Sequence, residues 1–496
     1  IEWGRQANRF PPELRTFDRF GQRIDEVDFH PAYHELMRLG LENGVSTIAW
    51  TAAEGGGHTA HAVLEYLLVQ AEAGVCCPLT MTYAAVPALR RQPEVAEEWV
   101  PRILQGRYDP RSIPAAEKQG VTIGMAMTEK QGGSDVRANT TRAVPLGAGG
   151  PGGEYALTGH KWFCSAPMCD AFLTLAYTDN GLSCFLVPRW TPDGQRNVFL
   201  IQRLKDKLGN RSNASSEIEY SGTWARMVGE EGRGVRTIIE MVHHTRLDTT
   251  LAAAGLMRQA LVQAIHHAGH RSAFQRRLAQ QPLMQNVLAD LAVESEAATV
   301  LMARIAQAFD DDGRDASAAA FARIAVAVGK YWVNKRLPNF TYEAMECLGG
   351  AGYVEESMMP RIYREAPLNS IWEGSGNVIC LDVLRAMQRE PEAVPALLAE
   401  VEQARGGDAR LDRAIDALKD MLAGPGDAER QARRLTESLA LALQGALLVR
   451  HAPAAVADAF CASRLDGAWG HCYGTLPSGC DFAAIMARAW PPLAAN

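Results

Sequence analysis

The octet Ser370-Ile371-Trp372-Glu373-Gly374-Ser375-Gly376-Asn377 sets one carboxylate among small residues. It lies between a proline-marked segment (Pro360, Pro367) and an apolar run from Val378 to Met387. That run reads as a helix, so Glu373 would stand at its entrance. Free backbone N–H groups and the positive dipole end there suit an anion or a polar ring edge. Glycines 374 and 376 let a flat ligand approach the backbone closely. A helix cap with a solvated Glu satisfies the same octet.

Other segments offer compatible chemistry. Met127-Thr128-Glu129-Lys130-Gln131-Gly132-Gly133-Ser134-Asp135-Val136 runs from a strand into a Gly-Gly-Ser loop. Such a loop presents N–H groups and hydroxyls without bulk, for a phosphate or a heteroaromatic edge, although a plain hairpin loop has the same spacing. Gly159-His160-Lys161-Trp162-Phe163-Cys164-Ser165 reads as an aromatic strand. One aromatic would enter the core, and the other could stack on a ring ligand with Ser165 donating a hydrogen bond. There is no GxGxxG after a strand and no GxxxxGK[ST], which excludes the common dinucleotide and P-loop sites. His243-His244 lacks a third ligand at fitting spacing, so no metal is expected.

The elements that must hold these segments follow from periodicity. Residues 1–30 are polar and read as an extended, irregular arm. Residues 31–107 carry apolar side chains at helical spacing, punctuated by Pro78, Pro87 and Pro101. Between about 120 and 225 the pattern turns to short β-branched or aromatic runs, with the glycine-rich hairpin loop 147–153 among them. Long helices follow: Val287, Leu291, Ala298, Leu301 and Ile305 share one face, and Ile324, Val328 and Trp332 another. They suggest a four-helix bundle. After Pro391 come Ala- and Leu-rich amphipathic helices at 411–422 and 428–450. The expected fold is thus α+β and multidomain. Its parts are an N-terminal arm and helical domain (1–120), a small antiparallel β-domain (121–229), a helical bundle (230–390) and an extra C-terminal helical domain (391–496).

Composition is that of a globular protein, with 47% hydrophobic and 22% charged residues among 496. A net charge of -7 argues against a generally nucleic-acid-coating chain. Ten scattered cysteines without a CxxC pair fit buried, reduced thiols and a cytoplasmic setting. No apolar run reaches the ~18 residues of a membrane helix. The chain opens on Ile1 rather than Met, so a missing leader is allowed for.

Taken in order, Met-Thr-Glu…Gly-Gly-Ser-Asp, Gly-His-Lys-Trp-Phe, Arg271-Ser-Ala-Phe274, Leu348-Gly-Gly-Ala-Gly-Tyr353 and Glu373-Gly374 resemble the acyl-CoA dehydrogenase flavoproteins. The stretches 128–136, Arg203–Ala214 and 369–377 are similar to the AidB subgroup, alkylation-response proteins with an extra C-terminal helical domain. The resemblance implies a homotetramer with FAD held between β-domain and bundle. By position, Met127 and Thr128 would meet the pyrimidine edge, and Gly133 and Ser134 the pyrophosphate. Phe163 would lie along the isoalloxazine, with Cys164 beside it and Ser165 near N5. Ile371, Trp372, Gly374, Ser375 and Asn377 would hold the adenine-side phosphates. Arg271, Phe274 and Glu346 would serve a neighbouring subunit's FAD, an Arg being a good pyrophosphate partner, and Gly349 and Gly350 would also bind the cofactor. Relatives carry Gln at the position of Glu346.

Glu373 would be the base that removes a proton beside an acyl-CoA thioester, its basicity raised by a dry site, with Arg246 close to it. Trp372 stands where many relatives have Tyr and could narrow the acyl channel, which points to a short or branched acyl group. The resemblance also implies double-stranded DNA as a partner of the C-terminal domain. Residues 391–496 hold ten Lys and Arg against thirteen Asp and Glu, a net of -3. That is a poor platform for phosphate neutralisation.

Overall fold

The computed structural model describes residues 1–424 and 426–490. It divides into two compact units, residues 1–248 and 249–496.

The first unit opens with helix α1 (Glu2–Arg9) and an antiparallel hairpin of β1 (Glu13–Phe17) and β2 (Arg23–Asp28). This corrects the expected irregular arm. Charged residues mask the alternation, and the hairpin is fixed by tertiary hydrogen bonds. Arg23 donates to the Ile201 carbonyl at 3.0 Å, and the Ile201 amide donates to Asp25 at 2.9 Å. Helices α2 (Pro31–Glu42), α3 (Ile48–Thr51), α4 (Gly57–Ala71), α5 (Cys76–Leu89) and α6 (Pro93–Leu104) follow. The expected prolines fall at helix starts or inside helices: Pro78 lies in the first turn of α5, and Pro87 and Pro101 lie inside α5 and α6.

The β-domain comprises β3 (Ile123–Ala126), β4 (Arg142–Pro145), β5 (Glu154–Ser165), β6 (Ala171–Thr178), β7 (Gly181–Pro188), β8 (Phe199–Leu204) and β9 (Ser215–Val228). The seven strands run in the order β3-β6-β4-β5-β9-β7, with β8 on β9 and the sheet closing through β6–β7. Pairing is mainly antiparallel, but β3 and β4 each pair parallel to β6. Strand β5 is bulged, with register shifts against β9 at 157/158 and 161/164. Gly159 permits this at φ 151°, because a Cβ there would meet the Thr141 Cα at 2.7 Å. Tyr155, Phe172, Phe185 and Phe199 fill the core, Phe172 stacking on Phe199 at 4.9 Å. Helix α7 (Gly234–His270) carries Arg246 and Asp248 at the end of this unit.

The second unit takes the remainder of α7, a two-residue hairpin of β10 (Ser272–Ala273) and β11 (Arg276–Arg277), and the long helices α8 (Pro282–Asp311) and α9 (Ala316–Glu346). Short helices α10 (Gly350–Tyr353) and α11 (Met359–Glu365) lead to α12 (Gly376–Arg389). Helices α13 (Ala393–Glu402), α14 (Ala409–Ala423), α15 (Ala428–His451), α16 (Ala454–Phe460) and α17 (Phe482–Ala489) complete it. Leu291, Ala298, Leu301 and Ile305 are buried on α8, as are Ile324, Val328 and Trp332 on α9; Val287 is half-buried.

Ions tie the C-terminal helices to the bundle. Arg464 lies 2.5 Å from Asp290 and 3.0 Å from Glu294, all three buried, and Arg336 approaches Glu294 at 3.3 Å. Burial alone would raise the Glu294 carboxyl, but the charges of Arg336 and Arg464 hold it below its ordinary value. Trp332 Nε1 donates to Gln444 at 3.0 Å, fixing α15 to α9. Among the described residues no helix is long and apolar enough to cross a membrane. All ten cysteines are free thiols, eight of them buried.

Candidate active site

In the first unit the loop after β3 is held from below. Asn139 donates to the Met127 carbonyl at 3.1 Å, and the Trp162 amide donates to the Thr128 carbonyl at 2.8 Å. Beneath them the fully buried Glu129 accepts from the Thr140 amide (2.6 Å), the Thr141 hydroxyl (2.6 Å) and Lys161 Nζ (2.9 Å). Lys161 also donates to the Leu175 carbonyl at 2.8 Å. A buried pair with this many hydrogen bonds fixes geometry, and losing one partner would strand a charge. Burial raises the Glu129 carboxyl, but the Lys161 ammonium, the Thr141 hydroxyl and the Thr140 amide outweigh it and hold it at about 2.

Met127 and Thr128 are half-buried above this pair, while Gly133 and Ser134 are exposed on the loop. A Cβ on Gly133 would meet the Thr128 hydroxyl at 2.4 Å, so the glycine lets the loop fold tightly over Thr128. On β5, Phe163 is half exposed and Ser165 half-buried, Ser165 Oγ lying 3.4 Å from Ser215 Oγ. Cys164 between them faces the other way. Strand alternation turns its side chain into the core, where burial pushes the thiol well up, leaving only its backbone for a ligand. Lys205 Nζ sits 3.6 Å from the Trp162 ring centroid and 4.7 Å from that of Phe163. Arg246 is buried on α7.

A lowered acid contributes stability above its unfolded pKa and loses it as pH falls through the native one. The Glu129 contribution is therefore complete above pH ~4.5 and disappears toward pH 2. Flavin fluorescence should report cofactor release confined to that acid range. Glu129→Gln, which strips Lys161 of its counter-charge, should release it already at neutral pH.

In the second unit, Glu373 is half-buried at φ 56°, a left-handed backbone strained for any side chain but glycine, and Gly374 follows at φ 108°. One ammonium holds this turn. Lys330, buried on α9, donates to the Trp372 carbonyl at 2.8 Å and to the Gly374 carbonyl, the two that flank Glu373. The Trp372 indole donates to Asn369 at 2.9 Å. Ser375 is the N-cap of α12 but makes no side-chain cap bond, which keeps its hydroxyl and the first amides of the helix available. Asn377 accepts from Arg433 at 2.9 Å, so the C-terminal helices reach this entrance. Ile371 is exposed.

Phe274 and Gln275 form the tip of the β10–β11 hairpin at φ 50° and 64°, and Phe274 is 93% exposed. Arg271, at the base of the hairpin, is exposed, as are Glu346, Gly349 and Gly350 near the end of α9. Lys161 and Lys330 were not singled out by sequence reasoning. The signal for Lys330 is one lysine in the otherwise apolar run 324–333. Lys330→Met should raise amide hydrogen exchange at 371–376 in the intact protein.

The mainly antiparallel β-domain, the long-helix bundle and a strained carboxylate turn define a flavin-dependent dehydrogenase scaffold. Comparison with known proteins agrees. Residues 1–110 match the Adaptive response protein AidB N-terminal domain, 124–223 the acyl-CoA dehydrogenase middle domain and 232–388 the acyl-CoA dehydrogenase C-terminal domain. The AidB protein of Escherichia coli K12 is 46% identical over 94% of this chain and 85% of its own length. Acyl-CoA dehydrogenase family member 11 of Caenorhabditis elegans is 31% identical over 90% of this chain and 77% of its own. A crystal structure of C. elegans ACDH-11 in complex with C11-CoA superposes with a TM-score of 0.84 at 29% identity, covering 93% of this chain and 84% of that one. The chain belongs to the acyl-CoA dehydrogenase family, in its AidB group. It is an FAD-dependent oxidoreductase of the acyl-CoA dehydrogenase type.

Each unit, taken by itself, carries groups of a kind that fits such a cofactor: in the first, the loop over Thr128 offers backbone donors and Phe163 an exposed ring face; in the second, the start of α12 is a phosphate-suited helix end.

Proposed function

We propose that this chain dehydrogenates a short or branched acyl-CoA thioester, Glu373 removing the α-proton. FAD, when bound, supplies the acceptor for the hydride that leaves the β-carbon. The observation that carries this reading is the turn at Glu373, where one buried lysine holds the carbonyls on both sides of a strained carboxylate. Strain of about 1–3 kcal/mol at a single residue persists where the fold over-determines it, and such residues cluster at active sites. Trp372 beside the base supports a narrow acyl site. The C11-CoA held by the worm relative supports an acyl thioester as the ligand class.

We assign the flavin loops to residues 121–229, the base to 230–390 and the extra helices to 391–496. The tip of the hairpin supports a homotetramer: an exposed phenylalanine in a left-handed turn, beside Arg271 and Arg276, has the form of an element presented to another subunit. Phe274→Ser should lower FAD occupancy and shift the assembly to smaller species in light scattering, with no loss of helical content. The free thiols support a reducing, cytoplasmic setting.

The test is anaerobic titration of the yellow protein with a panel of acyl-CoAs, following flavin absorbance. Bleaching by one thioester supports the reading, and a spectrum unmoved by all of them overturns it. Duplex DNA is the rival partner. The charge of the C-terminal domain disfavours it, and so do its ion pairs: Arg405, Arg410, Arg413, Lys419, Arg450 and Arg488 each meet a carboxylate. Salt-sensitive duplex binding lost on truncation before residue 391 would revive that reading.

A further inference from the structure

The first unit contains another cluster of acid–base side chains, which the dehydrogenase reading leaves unused. His61 and Glu65 lie one turn apart on α4, and Asp248 reaches them from α7. Their side chains are 0%, 1% and 2% exposed. His61 Nε2 lies 2.9 Å from Asp248 Oδ1 and 3.6 Å from Glu65 Oε2, and the three potential ligand atoms fall within 4.8 Å of one another.

The opposite ring nitrogen, Nδ1, lies 2.6 Å from the Val45 carbonyl. A carbonyl only accepts, so Nδ1 donates to Val45, while Nε2 lies at hydrogen-bond distance from Asp248 Oδ1 and is the ring atom a cation would take in place of a proton. The Thr80 hydroxyl satisfies Glu65 Oε1 at 2.8 Å. Glu65 Oε2 and Asp248 Oδ2 are buried with no hydrogen-bond partner. Two unpartnered carboxylate oxygens thus share a dry site beside the imidazole, an arrangement that a cation held between them would stabilise. Tyr83 stacks on the His61 ring at 3.8 Å, and Trp50 stacks on Tyr83 at 5.4 Å, forming an aromatic wall.

We propose that His61, Glu65 and Asp248 form a buried binding site for a divalent cation of the zinc or manganese kind. One imidazole nitrogen and two carboxylates are a donor set for these ions, and ligand atoms about 3–3.6 Å apart can surround a cation at roughly 2.0–2.2 Å from each. A divalent charge cancels both carboxylates. The Val45 carbonyl orients the imidazole as outer-shell acceptors do for metal-bound histidines. The ion would join α4 to α7 in a structural role. Neither His243 nor His244 is a ligand, and the three residues that are lie too far apart in sequence to form a motif.

The test uses the full-length, FAD-loaded protein, dialysed against metal-free buffer and analysed by plasma mass spectrometry, then titrated calorimetrically with Zn2+ alone and Mn2+ alone. The expected result is about one equivalent of one ion per chain. Glu65→Gln preserves side-chain shape and the His61–Asp248 contact, and should weaken binding at least tenfold, on the order expected for loss of a supporting ligand. A chelator should lower the melting temperature of the wild type and leave that of Glu65→Gln unchanged. A metal-free chain that takes up neither ion overturns the proposal, as does metal retained equally in Glu65→Gln and Asp248→Asn. Should both variants misfold, saturable one-to-one uptake by the chelator-treated wild type, with a rise in melting temperature, supports it, and no uptake overturns it.

Discussion

Replacing Glu373 by Gln should slow acyl-CoA-dependent flavin bleaching by about 10²–10⁴-fold, the range contributed by a positioned general base. The amide keeps the size and hydrogen-bonding reach of the side chain but cannot take the α-proton. Absorbance of the oxidised flavin should be nearly unchanged, because the amide preserves the shape of the side chain and Lys330 still holds the two flanking carbonyls. Stopped-flow reduction under anaerobic conditions, with the thioester that bleaches the wild type, gives the rate. A variant that bleaches at the wild-type rate would remove Glu373 from the chemistry.

Arg464→Met should cost about 3–5 kcal/mol, because it leaves Asp290 and Glu294 buried with half of their counter-charge gone. The guanidinium reaches Asp290 at 2.5 Å and Glu294 at 3.0 Å, and its removal also strips the support beneath the loop in which Gly474 donates to Asp290 at 2.9 Å. Arg413 provides the contrast. It also meets an aspartate at 2.5 Å, but its side chain is 62% exposed, and such pairs are worth about 0–1 kcal/mol. Urea midpoints should therefore fall steeply for Arg464→Met and hardly move for Arg413→Ala. Equal shifts would mean that burial does not set the strength of this network.

The same contrast between local and distant causes separates what could be read in the chain. The sequence by itself determined the long helices, the change to strands near residue 120 and the carboxylate at the start of α12. Each rests on a short-range rule: the 3.6- and 2-residue periods, turn residues, and glycines beside a polar side chain. The ordered motifs at 127–136, 159–165 and 369–377 likewise sufficed for the family, since a cofactor that touches several loops constrains each of them locally.

Tertiary structure decided what depends on partners remote in sequence. The N-terminal hairpin looked irregular because its order comes from Ile201, far along the chain. The Cys164 side chain faces the core because the bulged strand β5 turns it inward, a register that pairing with β9 sets. Lys161 and Lys330 each read as one more lysine until folding placed one beneath the loop over Thr128 and the other beneath Glu373. The buried triad of His61, Glu65 and Asp248 has no motif at all, because two of its members share one helix face and the third arrives from a helix formed 183 residues later. Periodicity tells a residue which face it occupies; only the packed structure tells it what it will meet there.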